Sequence, residues 1–476
     1  MPINKVPVPQ SEDDLRNLGL TPFFSKRLEW ILIKWIWPYI SPHIDLDQLG
    51  GLPGCSVDHY LTQMLQFIHE NLDNGTQKPT AVLAGLIDFS KAFNRIDHNI
   101  IVTILSDLNV PTCALRLIMS YLSSRRMCVR YNGAVSDEQE IPGGGPQGGL
   151  LTVLLFDLQV NLAGYPCPVQ PLSSPSSVHG PPPCPITAEP LPLCHKANKI
   201  LKKKYVDDLT LLEALNLRLL IRAPPIIGPP NQHEIPGLVL PPHQSALQHQ
   251  LSDLCTFTEQ NRMKINTKKS KIMVFNFCKK FEFLPQLNFP ECDPLEVIYE
   301  TRLLGVIITS NLSWSNHVKN MTLSAKKLWI LVRFKSLGAS SQQLLAVYQT
   351  RVRSVLEFAV PVFHSSLTVE QSRRIEMVQK KALAIIMASR YTSYEFALQY
   401  LSLERLDVRR EKLCLSFALK CAKNPRHKNM FPSNDNYRPN MRNPKPYKEY
   451  FCNTSRYYKS SIPYLARLLN KNSCTT

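Results

Sequence analysis

Proline decides first what this chain cannot fold into. Many of its 38 prolines fall in two clusters, residues 166–192 and 224–242. A proline fixes φ and donates no backbone hydrogen bond, so neither cluster suits a helix or a central strand. Both are expected to be loops or flexible insertions. A third stretch, Asn424 to Arg456, is rich in Asn, Pro, Arg and Tyr and is expected to be weakly ordered. The fold must be assembled from what remains. At 476 residues, with 44% apolar content, two to four packed subdomains are expected.

The patterned segments change character along the chain. Ala81 to Ile87 is a short apolar run ending at Asp88, as a buried strand would, and Ser90 opens a helix-like stretch through Leu105. Ile200 to Tyr205 and Leu209 to Leu215 form a hairpin in outline around Val206-Asp207-Asp208. Arg302 to Ile308 predicts one more strand, followed by a turn at Ser310-Asn311. From Ser315 onward the apolar spacing is helical, with amphipathic helices expected near Val369 to Ala388 and Leu403 to Ala422. A mixed α/β front half therefore meets a helical back half near residue 315.

Charge narrows the partners. Lys and Arg number 55 against 37 Asp and Glu, a formal net charge of +18. That surplus suits a polyanion, either nucleic acid or an anionic membrane surface. The longest apolar stretches, Trp30 to Ile40 and Leu150 to Leu162, are interrupted by Lys34 and Asp157 and too short to span a bilayer. The first residues, Met1 to Asp14, lack the basic and apolar blocks of a secretory signal, so an intracellular location, cytoplasm and nucleus, is expected. None of the 13 cysteines is spaced CxxC, and Cys194 beside His195 lacks a second ligand pair. Reduced thiols are the expected state.

Three carboxylates stand where chemistry would need them. Asp88 ends a strand, and Asp207 and Asp208 lie at a hairpin tip. As turn and cap residues they would simply face solvent. If they converge, their mutual repulsion calls for a divalent cation.

Their order in the chain weighs on that choice. Asp88-Phe89-Ser90-Lys91-Ala92-Phe93 is followed by Gly145-Pro146-Gln147-Gly148 and by Tyr205-Val206-Asp207-Asp208. Then come Asn261-Arg262-Met263-Lys264-Ile265-Asn266-Thr267-Lys268-Lys269-Ser270-Lys271 and Leu303-Leu304-Gly305-Val306. The series resembles the five ordered motifs of reverse transcriptases, in the form found in non-LTR (LINE-type) retrotransposons. Thr21-Pro22-Phe23-Phe24-Ser25-Lys26 resembles an upstream motif of the same elements. Ser354-Val355-Leu356-Glu357-Phe358-Ala359, Glu376-Met377-Val378-Gln379-Lys380-Lys381-Ala382 and Ser461-Ile462-Pro463-Tyr464-Leu465 resemble downstream ones.

The resemblance implies an α+β right-hand polymerase. Fingers would occupy residues 1–80, an antiparallel-sheet palm 81–314 with the Pro-rich insertions, and a helical thumb and C-terminal region 315–476. It implies RNA-directed DNA synthesis with Asp88, Asp207 and Asp208 holding Mg²⁺, or Mn²⁺ in its place, in a two-metal nucleotidyl transfer. Phe93, Gln147, Gly148 and Lys271 would face the incoming nucleotide, Phe93 as a gate against the ribose 2′-hydroxyl. Residue composition alone makes Phe93 a core aromatic, the glycine loop a flexible link and Lys271 a solvated lysine. Leu304 and Gly305 would contact the primer.

The partners implied are template RNA, a DNA primer or nicked target DNA, and deoxynucleoside triphosphates. The basic runs Lys202-Lys203-Lys204, Lys268-Lys269, Lys326-Lys327 and Lys380-Lys381 would meet duplex phosphates. Asn94, Gly149, Val153, Leu52 and Cys55 depart from the residues common at their places, the last two weakening a triphosphate clamp there. The start near the first fingers motif also predicts a piece of a longer element protein, with the endonuclease elsewhere. A catalytically inactive relic that only binds nucleic acid is the alternative.

Overall fold

The apolar run that ends at Asp88 is the middle strand of a five-stranded sheet. In this computed structural model the strands are β1 (Thr80–Asp88), β2 (Lys199–Tyr205), β3 (Asp208–Asn216), β4 (Lys271–Asn276) and β5 (Glu296–Ile298). Their spatial order is β5-β4-β1-β3-β2. All neighbours are antiparallel except β4 and β5, which run parallel. The residues described are 2–4, 15–17, 19–73, 80–131, 133–141, 143–161, 199–217, 238–240, 245–278, 283–325, 328–435, 437 and 445–473. The first proline cluster, most of the second, and Lys326-Lys327 lie outside them.

Both faces of the sheet are covered, which explains why β1 and β4 read as near-continuous apolar runs. Alternate residues along each strand point to opposite faces. Val82, Ala84, Leu212, Ala214, Met273 and Phe275 join one core with helix α2 (Val57–Leu72) and the C-terminal helices. Ala81, Leu83, Ile87, Leu209, Leu211 and Ile272 join a second core. That core is built with α1 (Phe23–Ile40), α3 (His98–Asp107), α4 (Thr112–Leu122), α5 (Leu150–Gln159) and α6 (Ala246–Gln260). Two buried glutamates fix helices at their N-termini, where unsatisfied amides favour an anion. Glu29 accepts from Leu151 N at 3.1 Å, and Glu213 accepts from Ser245 Oγ, Ala246 N and Leu247 N at 2.6, 3.0 and 3.0 Å.

Three local expectations are corrected. The stretch from Ser90 to Leu105 is not one helix: a 3-10 turn, Ala92–Arg95, is followed by α3, whose start is set by Asp97 accepting from Asn99 N and Ile100 N. Arg302 to Ile308 is not one strand but the hairpin β6 (Glu300–Leu303) and β7 (Val306–Thr309). Its turn residues Leu304 and Gly305 have φ of 48° and 89°. The described part of Asn424 to Arg456 is folded onto the body. Asn434 N donates to Pro446 O at 2.9 Å, and Asn470 brackets Tyr447.

The helical back half begins with α7 (Ser315–Ala325) and includes α8 (Val369–Met387), α9 (Leu406–Lys423) and α10 (Ser461–Ser473). Leu61, Met64, Leu65 and Ile68 of α2 share a core with Phe363, Ile375, Ala418 and Leu465, so an early helix is built into the late part of the chain. No helix among the described residues is long and apolar enough to cross a membrane. The described cysteines are all free thiols.

Candidate active site

The sheet register brings two of the three carboxylates face to face. Asp88, the last residue of β1, is the cross-strand partner of Asp208, the first residue of β3. Directly opposed residues of an antiparallel pair have Cα atoms roughly 4.5–5.5 Å apart. Asp208 also closes the hairpin against Tyr205, which leaves Val206 and Asp207 as a two-residue turn. Burial, then Asp207, then Asp88 push the Asp208 carboxyl up to about 7. Three carboxylates thus crowd one end of the sheet. They do not close into a ready-made site: among the described residues no group of three His, Cys, Asp or Glu is gathered tightly enough to hold a metal ion.

The backbone beneath Asp88 is fixed by the segment that precedes β4. Asn266 N donates to Asp88 O at 2.8 Å, Ser90 N to Lys264 O at 2.7 Å and Asp88 N to Ser270 Oγ at 3.3 Å. The same segment supplies the nearby cation. Lys269 Nζ lies 4.0 Å from Asp88 Oδ2, whereas Lys271 Nζ donates to Glu296. Lys271, expected near the nucleotide, is thus engaged by Glu296 once β5 lies beside β4, while Lys269, expected as one of a phosphate-contacting doublet, is the lysine that reaches Asp88.

Phe93 lies against α5, and Gln147 and Gly148 lie in the loop that leads into it. The Phe93 ring is part-buried and meets Phe156 of α5 at 5.5 Å. The glycine loop is not a free link: Gly145 N donates to Phe93 O at 2.9 Å, Gly144 N to Ile96 O at 3.2 Å, and His98 Nε2 to Gly144 O at 2.8 Å. Gln147 O accepts from Gly19 N at 2.8 Å, and Gly148 is exposed beside it. The backbone of Phe93 is thus joined to the glycine loop two residues before Gln147. Leu304 and Gly305 form the turn of the β6–β7 hairpin, with the Phe358 ring against Gly305.

Lys202, Lys203 and Lys204 correct the expectation of a phosphate-binding run. All three are buried. Lys203 pairs with Asp47 at 2.7 Å and Lys204 with Asp45 at 2.7 Å, partners 156 and 159 residues away. Burial lowers Lys202 to about 7. Lys268, Lys269, Lys380 and Lys381 remain exposed.

With this geometry in view, the sequence profile described as reverse transcriptase (RNA-dependent DNA polymerase) matches residues 4–215, which contain Asp88, Phe93, Gln147, Asp207 and Asp208. Residues 4–215 are thus similar to the reverse transcriptase family. A probable RNA-directed DNA polymerase from transposon BS of Drosophila melanogaster is 23% identical over 313 residues, 64% of this chain and 28% of that protein. Its counterpart from transposon X-element is 36% identical over 162 residues, 33% of this chain and 17% of its own length. The chain spans less than a third of either relative. Among solved structures, apo telomerase from Candida Tropicalis overlaps 83% of this chain and 54% of its own, at 11% identity and a TM-score of 0.38.

Proposed function

We propose that the chain is an RNA-directed DNA polymerase working by metal-dependent nucleotidyl transfer. The observation that carries this reading is the pairing of Asp88 with Asp208 at the mouth of a turn holding Asp207. Asp208 resists ionisation because it is buried and because its neighbours Asp207 and Asp88 are anionic. A divalent cation between these groups would relieve that repulsion. Two or three carboxylates fit Mg²⁺, which takes its remaining ligands from water and phosphate oxygens. Bound there, the metal would supply charge neutralisation and acidify the attacking hydroxyl.

The remaining steps belong to the chain's own residues. Lys269 steadies the Asp88 carboxylate from outside. Phe93, pinned against Phe156, stands as a wall where the incoming sugar would lie and excludes a 2′-hydroxyl. Gln147 and Gly148, held by the docked glycine loop, face the template and nucleotide. Leu304 and Gly305 hold the primer end. In these terms the sheet is a palm, α1 and its neighbours are fingers, and the helices after residue 315 are a thumb. Template RNA, a DNA primer and deoxynucleoside triphosphates are the partners, in the cytoplasm and nucleus.

A relic that only binds nucleic acid is the second reading, favoured by the absence of a closed three-ligand cluster among the described residues. Extension of a primed RNA template by the purified chain separates the two. Extension in Mg²⁺ that stops on chelation and restarts on Mg²⁺ addition supports the polymerase. Duplex binding with no extension in Mg²⁺ or Mn²⁺ supports the relic.

A further inference from the structure

The turn carrying Asp207 is strained and is held from its open side. Val206 has φ of 56°, a left-handed conformation that glycine or asparagine adopts easily and a β-branched residue does not. Such strain persists only where the surroundings over-determine it. β2 is an edge strand, and residues 47–49 occupy its outer edge. Lys204 N donates to Asp47 O at 2.9 Å, and Leu49 N donates to Lys204 O at 2.8 Å. The ion pairs of Lys203 with Asp47 and Lys204 with Asp45 fasten the same contact.

The next residues wedge between the turn and α5. A Cβ on Gly50 would overlap the Val206 amide nitrogen, so only glycine allows the approach. On the far side, a Cβ on Gly51 would lie 2.6 Å from Asp157 Oδ2. Asp157 is 1% exposed, and its other oxygen accepts from Gln48 Nε2.

The back of this loop is closed by the other end of the chain. The Arg426 guanidinium donates through Nη2 to Gln48 O at 2.7 Å, across 378 residues, and to Asp45 O. Its neighbour His427 stacks on His59 at 4.0 Å and meets Cys55 Sγ at 3.5 Å. One arginine thus ties both carbonyls of a loop that is pressed onto the catalytic turn.

We propose that Arg426 is a positioning residue: by holding the loop of residues 45–51 it sets the Val206-Asp207 turn, so the segment after α9 governs the carboxylate site. The effect on catalysis rests on the polymerase reading; the effect on the hairpin does not. In Arg426→Gln of the full chain, amide exchange at Lys204 and Leu49 should quicken about tenfold while α8 and α10 stay protected. A displacement of that kind should lower kcat of primer extension by up to about 100-fold, with duplex Kd within about twofold and partial return in Arg426→Lys. Gly50→Ala, which displaces the turn directly, should cause the same loss with Arg426 intact. Unchanged exchange in the hairpin overturns the proposal, and so does exchange that quickens equally throughout the chain. A hairpin loosened in Arg426→Gln beside a wild type that never extends a primer upholds the strut and removes the polymerase.

Discussion

Asp208 carries two opposite demands, and pH separates them. Its carboxyl is pushed to about 7 by burial and by Asp207 and Asp88, against about 3.9 in an unfolded chain. An acid raised on folding contributes stability that is whole below the unfolded value and is lost as pH climbs through the folded one. The metal-free protein should therefore weaken between about pH 4 and pH 7, by up to about 1.4 kcal/mol for each pH unit from this group. Asp208→Asn should flatten that slope and raise the melting temperature at pH 8 in chelator; an unchanged slope would mean that the Asp208 carboxyl is not raised on folding. Phe93 tests geometry at the same scale. Its ring meets Phe156 at 5.5 Å, so it is a packed aromatic as composition implied, yet it also borders the docked glycine loop. If it walls the sugar site, Phe93→Val raises ribonucleotide use relative to deoxynucleotide use. If it is only core, truncation costs up to about 3–5 kcal/mol and depresses both reactions together, leaving their ratio fixed.

The hairpins show what an element-scale reading can and cannot see. The β2–β3 hairpin was legible as two short strand candidates on either side of an acidic tip. The expected tip, Val206-Asp207-Asp208, is one residue too long, since Asp208 pairs with both Tyr205 and Asp88. The β6–β7 hairpin was hidden inside Arg302 to Ile308 because Leu304-Gly305 lacks the Asn-Gly or Asp-Gly that usually marks such a turn. Gly305 alone meets the demand of φ 89°, with Phe358 Cε1 only 3.1 Å from where a Cβ would sit. Gly305→Ala should cost on the order of 1–2 kcal/mol in denaturant unfolding. Should the turn hold the primer, the KM for primer–template must rise as well. A loss of stability with KM unchanged would withdraw Leu304 and Gly305 from the primer. Capping explains the better outcomes: Thr368 and Gln371 form a reciprocal cap that starts α8 next to the expected Val369.

At the scale of the whole molecule, charge was legible as a total and not as a surface. The sum of +18 concealed that Lys203 and Lys204 are spent on Asp47 and Asp45. Nothing in local sequence pairs segments some 156 residues apart. The same holds for Arg426, whose place beside Gln48 exists only once both ends of the chain meet. What is left for a nucleic acid is the exposed set that includes Lys268, Lys269, Lys380 and Lys381. Duplex affinity should fall with salt at a slope of about −0.9 per phosphate contact on B-form DNA. Charge reversal at Lys380 and Lys381 should shallow it, whereas neutralising Lys203 should disturb folding and not the slope. A flat salt response would deny the surface any part in binding. The central claim, that Asp88, Asp207 and Asp208 make one metal-dependent polymerising site, is tested most directly by single-turnover primer extension on an RNA template with Asp207→Asn and Asp88→Asn. If these carboxylates hold metal and touch no phosphate, removing either charge should abolish extension while template–primer affinity stays within about twofold of wild type. Extension that persists in both variants at the wild-type rate would contradict the account.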